Sequence, residues 1–410
     1  MARMTRCTRV ALLAALAALG VACGGGGGST LAGNSASSSG GGSPSGSNVV
    51  TAIIDAGPAN NSDDMLFTTV TVCAPGSTTN CQTVDHVQVD TGSSGLRILA
   101  SLIPASVTLP AQPAPDGNAL VECFQYIDGF NWGPIVKADV SIGGETASSV
   151  PIQLIGSTTF PTVPPDCSST GPAEDTVTTL AANGILGVST LIQDCGPACA
   201  SAGITGAYYS CTTSECRDIA VPLASQVVNP ITLFATDNNG LIIELPPVPA
   251  QGAGTATGNL VFGIDTQANN QTSNQAVIPV GNPSGYITAM FNGQTLPDSF
   301  IDSGSNGLFF TDTSIVQCTG SLSGYYCPAS PISLSAGLEE AGGALATYSF
   351  TVDNAQTLFD TSFTVFATIG GTNSDPASFD FGLPFYLGRD VYHVIQGDTT
   401  SLGTGPFIAF

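Results

Sequence analysis

The chain has 410 residues, enough to bury two sizeable hydrophobic cores or one large one. Seven Lys and Arg residues stand against thirty Asp and Glu, a net charge of −23, and from Cys23 onward four bases face all thirty acids. Such a surface repels polyanions, which excludes nucleic acid and anionic lipid headgroups as partners. An acidic surface serves solubility, and it also suits work at low pH, where protonation relieves the self-repulsion.

The first residues, "MARMTRCTRVALLAALAALGVAC", combine a basic start, an apolar run and a small residue before a Cys. This pattern predicts a secretory signal over 1–22, too short and wrongly flanked for a stable membrane span. Its end at Ala22-Cys23 resembles a bacterial lipoprotein signal, although Gly20 stands where Leu is usual. The resemblance implies lipidation at Cys23 and a protein exported to the bacterial cell envelope. It would touch the membrane through that anchor alone. Residues 23–48 are rich in Gly and Ser, a composition that predicts a flexible tether.

Beyond the tether only 9% of the whole chain's residues are charged, while 49 Gly and 27 Pro punctuate its length. Runs of Thr, Val, Ile and Phe between Gly, Asn, Pro and Asp predict a mostly β protein. With Cys7 and Cys23 set aside, ten cysteines remain, an even number that predicts up to five disulfides in an oxidising compartment. Cys73 with Cys81, and Cys318 with Cys327, are close pairs, each able to staple a hairpin or loop. The group Cys195, Cys199, Cys211 and Cys216 lacks a Cys-x2-Cys knuckle and contains no His, so disulfides are expected there rather than zinc.

Two stretches repeat one pattern: "VDTGSSGLRI" at Val89–Ile98 and "IDSGSNGLFF" at Ile301–Phe310. In each, a β run delivers an acid, Asp90 or Asp302, into a turn through Gly92 or Gly304. An acid in an apolar frame is costly unless a site needs it. Thr91 and Ser303 offer hydroxyls that can lock two such turns face to face, and Ser93 and Ser305 can donate to the carboxylates. A single Asp-Thr-Gly is an ordinary turn signal; two in matched frames predict a pair of carboxyls meeting between two lobes. Two close carboxyls share a proton and hold a water, the equipment for general acid–base hydrolysis without a covalent intermediate. His86 and His393 have no nucleophile motif nearby and read as structural. Neither G-x-S-x-G nor a phosphate-binding loop occurs.

With these motifs the sequence resembles the pepsin-like family of bilobal aspartic proteases. "ECFQYIDGFNWGPIVKADVSIGG" is similar to that family's flap hairpin, with Tyr126 at the flap tyrosine. "NGILGVST" and "FDFGLPFYLGRDVYHVI" resemble the two apolar-apolar-Gly segments that pass behind the catalytic turns, the second with Gly382 as its glycine. The resemblance runs from Val49 to Phe410. It implies a two-lobed pepsin-like β-barrel architecture, with an N-terminal lobe over 49–238, a C-terminal lobe over 239–410 and a cleft between them. It further implies Asp90 and Asp302 as the dyad, Thr91, Gly92, Ser93, Ser303, Gly304 and Ser305 as their support, and a peptide or protein substrate held under Tyr126. No metal or cofactor is expected, and a monomer is expected.

Three departures qualify this picture. Gly95-Leu96-Arg97 replaces the family's Asn-Leu-Trp, so Tyr126 lacks its tryptophan partner, a place that Trp132 or Arg97 can take. No basic propeptide lies between signal and fold. The lipoprotein start also makes the chain similar to a family of bacterial lipoproteins of unknown function. A catalytically inactive envelope binding or assembly module is therefore the alternative to a peptidase, with hydrolysis of non-peptide substrates a third.

Overall fold

The computed structural model describes residues 46–410 apart from Ile127. The expected signal, Cys23 and nearly all of the tether lie outside the described residues. Strands dominate. Among the described residues no α-helix exceeds five residues, and none is long and apolar enough to cross a membrane.

Burial follows residue pattern. In the peripheral strand Leu345–Val352, "LATYSFTV", the later side chains alternate between core and solvent, as in a sheet wet on one face. The strands Ser94–Leu99 and Gly184–Val188 are buried at every position and lie in the middle of a sheet. Arg97, one of these buried positions, therefore requires partners inside the protein.

Each half of the chain builds the same motif around its Asp turn. In the first, strand Cys81–Asp90 lies parallel to Gly184–Val188, with Asp90 opposite Gly187, and Ser94–Leu99 runs antiparallel to that same strand. In the second, Gln294–Ile301 lies parallel to Asp380–Phe381, and Leu308–Phe309 runs antiparallel to it. The segment between thus passes behind the turn in both halves. Its glycine is required by contact: a Cβ on Gly187 would meet Ser93 Oγ at 2.7 Å, and one on Gly382 would meet the Ser305 carbonyl at 2.6 Å.

The halves are also joined by backbone. Strand Val49–Ile54 pairs with Ala256–Phe262 along its whole length, from Val49 opposite Val261 to Ile54 opposite Ala256. This join places both halves in one fifteen-stranded sheet, beside a seven-stranded sheet that carries the second turn. The fold is the mostly β, two-lobed architecture that the resemblance implied.

Five disulfides form: Cys73–Cys81, Cys123–Cys167, Cys195–Cys199, Cys211–Cys216 and Cys318–Cys327. Both expected local bridges are among them, and the four-cysteine group resolves into two short ones. The sulfurs that could have suggested zinc are thereby consumed.

Candidate active site

Each carboxyl is fixed by its own turn before it meets the other. The Gly92 N–H donates to Asp90 Oδ1 at 2.9 Å and the Ser93 hydroxyl to Oδ2 at 2.5 Å. Gly304 N–H and the Ser305 hydroxyl do the same for Asp302, at 2.7 and 3.0 Å. The two turns then interlock. Ser303 N–H donates to Thr91 Oγ1 at 2.9 Å, Thr91 N–H donates to Ser303 Oγ at 3.2 Å, and Ser303 Oγ–H donates to the Val89 carbonyl at 2.8 Å. Gln88 adds a further bond between the halves, its Nε2 donating to the Gly304 carbonyl at 3.1 Å.

The interlock brings the acids together. A Cβ placed on Gly304 would lie 2.6 Å from Asp90 Oδ1 and 3.0 Å from Asp302 Oδ1, so both oxygens fall within 3.0 Å of one point. From the other side, a Cβ on Gly92 would lie 2.7 Å from Asp302 Oδ1. Glycine stands at both places because the backbone of each turn is the floor on which the opposite carboxyl rests. Two carboxyls facing one point in this way can bind one water between them.

Beneath the interlock runs a polar chain that sequence reasoning missed. Thr91 Oγ1 is 2.8 Å from the Tyr386 hydroxyl, which is 3.1 Å from His393 Nε2. Burial pushes His393 down to about 3, so its ring is neutral and acts as a fixed dipole. His393 is structural, as its sequence context suggested, yet it props the turn that carries Asp90. Replacing Thr91 with Val removes the acceptor for Ser303 N–H and the partner of Tyr386 in one step. The variant should unfold in urea with about 1–3 kcal/mol less stability, since buried polar groups are left unpaired.

Tyr126 opens the turn of the hairpin formed by strands Ala119–Gln125 and Phe130–Ile142, its N–H donating to the Gly129 carbonyl. Its ring packs in a cluster with Leu99, Ile155, Leu180 and Ile185, and its hydroxyl donates to Asn131 Oδ1 at 2.7 Å. Trp132 does not serve as its partner. That indole donates to the Phe160 carbonyl and meets Tyr209 edge-on, in a different cluster, because alternation along the strand turns it away from the Tyr126 side. Arg97 reaches Tyr126 through Phe124. Its guanidinium lies 3.8 Å over the Phe124 ring, and Phe124 in turn packs against Tyr126. The same group donates to Glu122 Oε1 at 2.6 Å and to the Ser94 carbonyl at 2.9 Å, with Asp194 Oδ2 at 3.5 Å. A fully buried cation thus ties the hairpin to the turn of the first half.

Several acids lie where charge is costly. Burial pushes Asp64, Asp194 and Asp380 well above the usual carboxylate range, reinforced for Asp194 by Glu122 and for Asp380 by Asp302. Above the unfolded value near 3.9 the native state therefore holds on to protons that the unfolded chain releases. Stability from these groups is full below that unfolded value and is lost as pH rises through their folded values. Asp265 has the opposite sign: burial is outweighed by hydrogen bonds from Thr272 and Ser401, leaving it at about 2. Its contribution is lost only as pH falls from about 4 towards 2. Thermal midpoints should accordingly be higher at about pH 4.5 than at about pH 7.5. A midpoint that rose steadily to pH 7.5 would contradict these assignments.

The solved aspartic proteinase from Irpex lacteus is similar with a TM-score of 0.48 and 16% identity, over 88% of this chain and 96% of that one. No curated protein matches the chain in sequence. A family described as "Protein of unknown function (DUF3443)" matches over residues 44–410.

Proposed function

Since the chain belongs to that family of unknown function, its chemistry has to come from its own residues, and we propose that it is an aspartic endopeptidase. The observation that carries this reading is the convergence of Asp90 and Asp302, each oriented by a Gly N–H and a Ser hydroxyl, on one point between interlocked turns. In the reaction, the ionised member of the pair takes a proton from a water held between the two. That water attacks the amide carbonyl carbon of an extended peptide. The protonated member donates to the carbonyl oxygen, giving a neutral gem-diol intermediate. The amide nitrogen is then protonated and the C–N bond breaks, returning one proton to the pair. The substrate would lie between the lobes, bound in strand-like hydrogen bonds beneath the Tyr126 hairpin.

Export and lipid anchoring at Cys23 are part of the same proposal, supported by the signal-like start and by five disulfides, which persist in oxidising compartments. We further propose a lobe boundary near residue 238 and a monomer.

A second reading, a binding module without chemistry, draws on the Tyr126 hairpin. Tyr126 is 1% exposed and bonded to Asn131, rather than free to reach a substrate. A peptide-library digest across about pH 3–7 separates the two, because a pair that needs one shared proton works in acid and fades as both carboxyls ionise. Cleavage that peaks in acid is the expected result. Intact peptides at every pH would end the peptidase reading in favour of the binding module.

A further inference from the structure

The two halves of the site share one register, and behind the turns a polar and an apolar side chain change places between them. Phe381 pairs with Ile301 and Asp380 with Phe300, as Leu186 pairs with Val89 and Ile185 with Gln88. Asp380 therefore occupies the place that Ile185 fills in the first half. A third carboxyl stands where the repeated architecture has an apolar side chain.

This carboxyl is 0% exposed, and neither oxygen has a hydrogen-bond partner among the described residues in the conformation observed. Its cross-strand neighbours are Phe300 and Phe309. The titratable groups acting on it are Asp302 and Asp90, and it acts in turn on Tyr386. The hydroxyl beside it belongs to Ser305, which donates to Asp302 Oδ2. An ionised Asp380 would add a third negative charge to a buried pair of acids, with no ion-pair partner among the described residues. Burial first, then Asp302 and Asp90, oppose that charge and outweigh the support the Ser305 hydroxyl gives it, so the carboxyl lies well above the usual carboxylate range.

We propose that Asp380 carries a proton and donates it as a hydrogen bond to Ser305 Oγ, which strengthens the bond from Ser305 to Asp302 and makes Asp302 the ionised member of the pair. Asp380 is thus a positioning residue: it acts through Ser305 and touches no substrate. Chained hydrogen bonds polarise one another, and a carboxylate that accepts a stronger bond holds its charge more readily. Ser93 is the counterpart of Ser305, and Ile185, at the register position of Asp380, offers it no such donor. Two acids in near-identical frames have little reason to divide the roles of acid and base, and this one substitution supplies a reason. The shared proton then rests on Asp90.

The role in catalysis rests on the peptidase reading, but the test does not require turnover. The Asp302 carboxyl can be titrated by infrared spectroscopy, its band assigned as the one lost in Asp302→Asn. Asp380→Ile, which copies the first half, should raise the Asp302 midpoint by about half a pH unit or more. Asp380→Asn, which keeps a donor towards Ser305, should leave it close to wild type. The wild-type spectrum at neutral pH should also contain a protonated-carboxyl band that Asp380→Asn removes. If the protein cleaves peptides, the acid limb of its pH profile should move up in Asp380→Ile. An unchanged or lowered Asp302 midpoint in Asp380→Ile, or no such band at neutral pH, overturns the proposal. Failure to cleave any peptide removes only the peptidase reading, because the titration still decides what Asp380 does to Asp302.

Discussion

Asp302→Asn and Asp90→Asn should each lower peptide cleavage by about 10²–10⁴-fold, the share that general acid–base transfer contributes to such reactions. An amide keeps the shape of the carboxyl but neither shares a proton with its partner nor takes one from water. The fold should survive the exchange. Asp90 accepts from Gly92 N–H and from the Ser93 hydroxyl, and Asp302 from Gly304 N–H and the Ser305 hydroxyl. In an Asn variant the carbonyl oxygen still accepts from the glycine, while the amide NH2 donates to the serine oxygen once that hydroxyl rotates. Thermal midpoints close to wild type, with cleavage lost in both variants, are expected. Cleavage by Asp302→Asn at the wild-type rate would show that any activity comes from elsewhere in the molecule.

Gly304→Ala should be nearly as damaging, for a steric reason. The added methyl would sit 2.6 Å from Asp90 Oδ1 and 2.9 Å from its Cγ, closer than carbon and oxygen atoms approach without bonding. Gly304 is not among the positive-φ residues, so alanine strains the contact and not the backbone. Either Asp90 swings away or the turns part, and both outcomes displace the carboxyls from their common point. Displacements near 1 Å cost on the order of 10²-fold in rate. Gly254→Ala is the control: a Cβ there meets nothing within 4 Å, so activity and stability should stay at wild type. Equal activity in Gly304→Ala and wild type would mean that the close approach of the turns plays no part in function.

The turns were legible because their chemistry is local. Asp, a hydroxyl residue, Gly and Ser in sequence specify a tight turn whose own donors fasten its own carboxyl, and the repetition supplied the partner. Short bridges such as Cys73–Cys81 and Cys318–Cys327 were legible for the same reason, whereas Cys123–Cys167, 44 residues apart, depends on the fold. The buried charges were not legible. Arg97 reads in sequence as a missing tryptophan, and only packing brings Phe124, Glu122 and Asp194 around it. Asp380 lies inside a segment that resembles an apolar-apolar-Gly run. That it fills an apolar place behind Ser305 follows from strand register, which a lone sequence does not display. His393 showed no motif because its link to Thr91 passes through Tyr386.

The pairing of strand Val49–Ile54 with Ala256–Phe262 also sets an order of events in the life of the chain. The ribosome completes the first Asp turn some 200 residues before the second exists. The early strand has no neighbour on that side until the later one emerges. Closure of the sheet waits longer still, for Phe407–Ala409 to join Arg389–Val394 and Val277–Pro279. Contacts of such long sequence separation form late and slowly. A nascent chain that has not yet reached Asp302 therefore holds a single acid in a turn without its partner. On the peptidase reading proposed above, hydrolysis therefore waits until the second half of the chain has been made and has closed against the first.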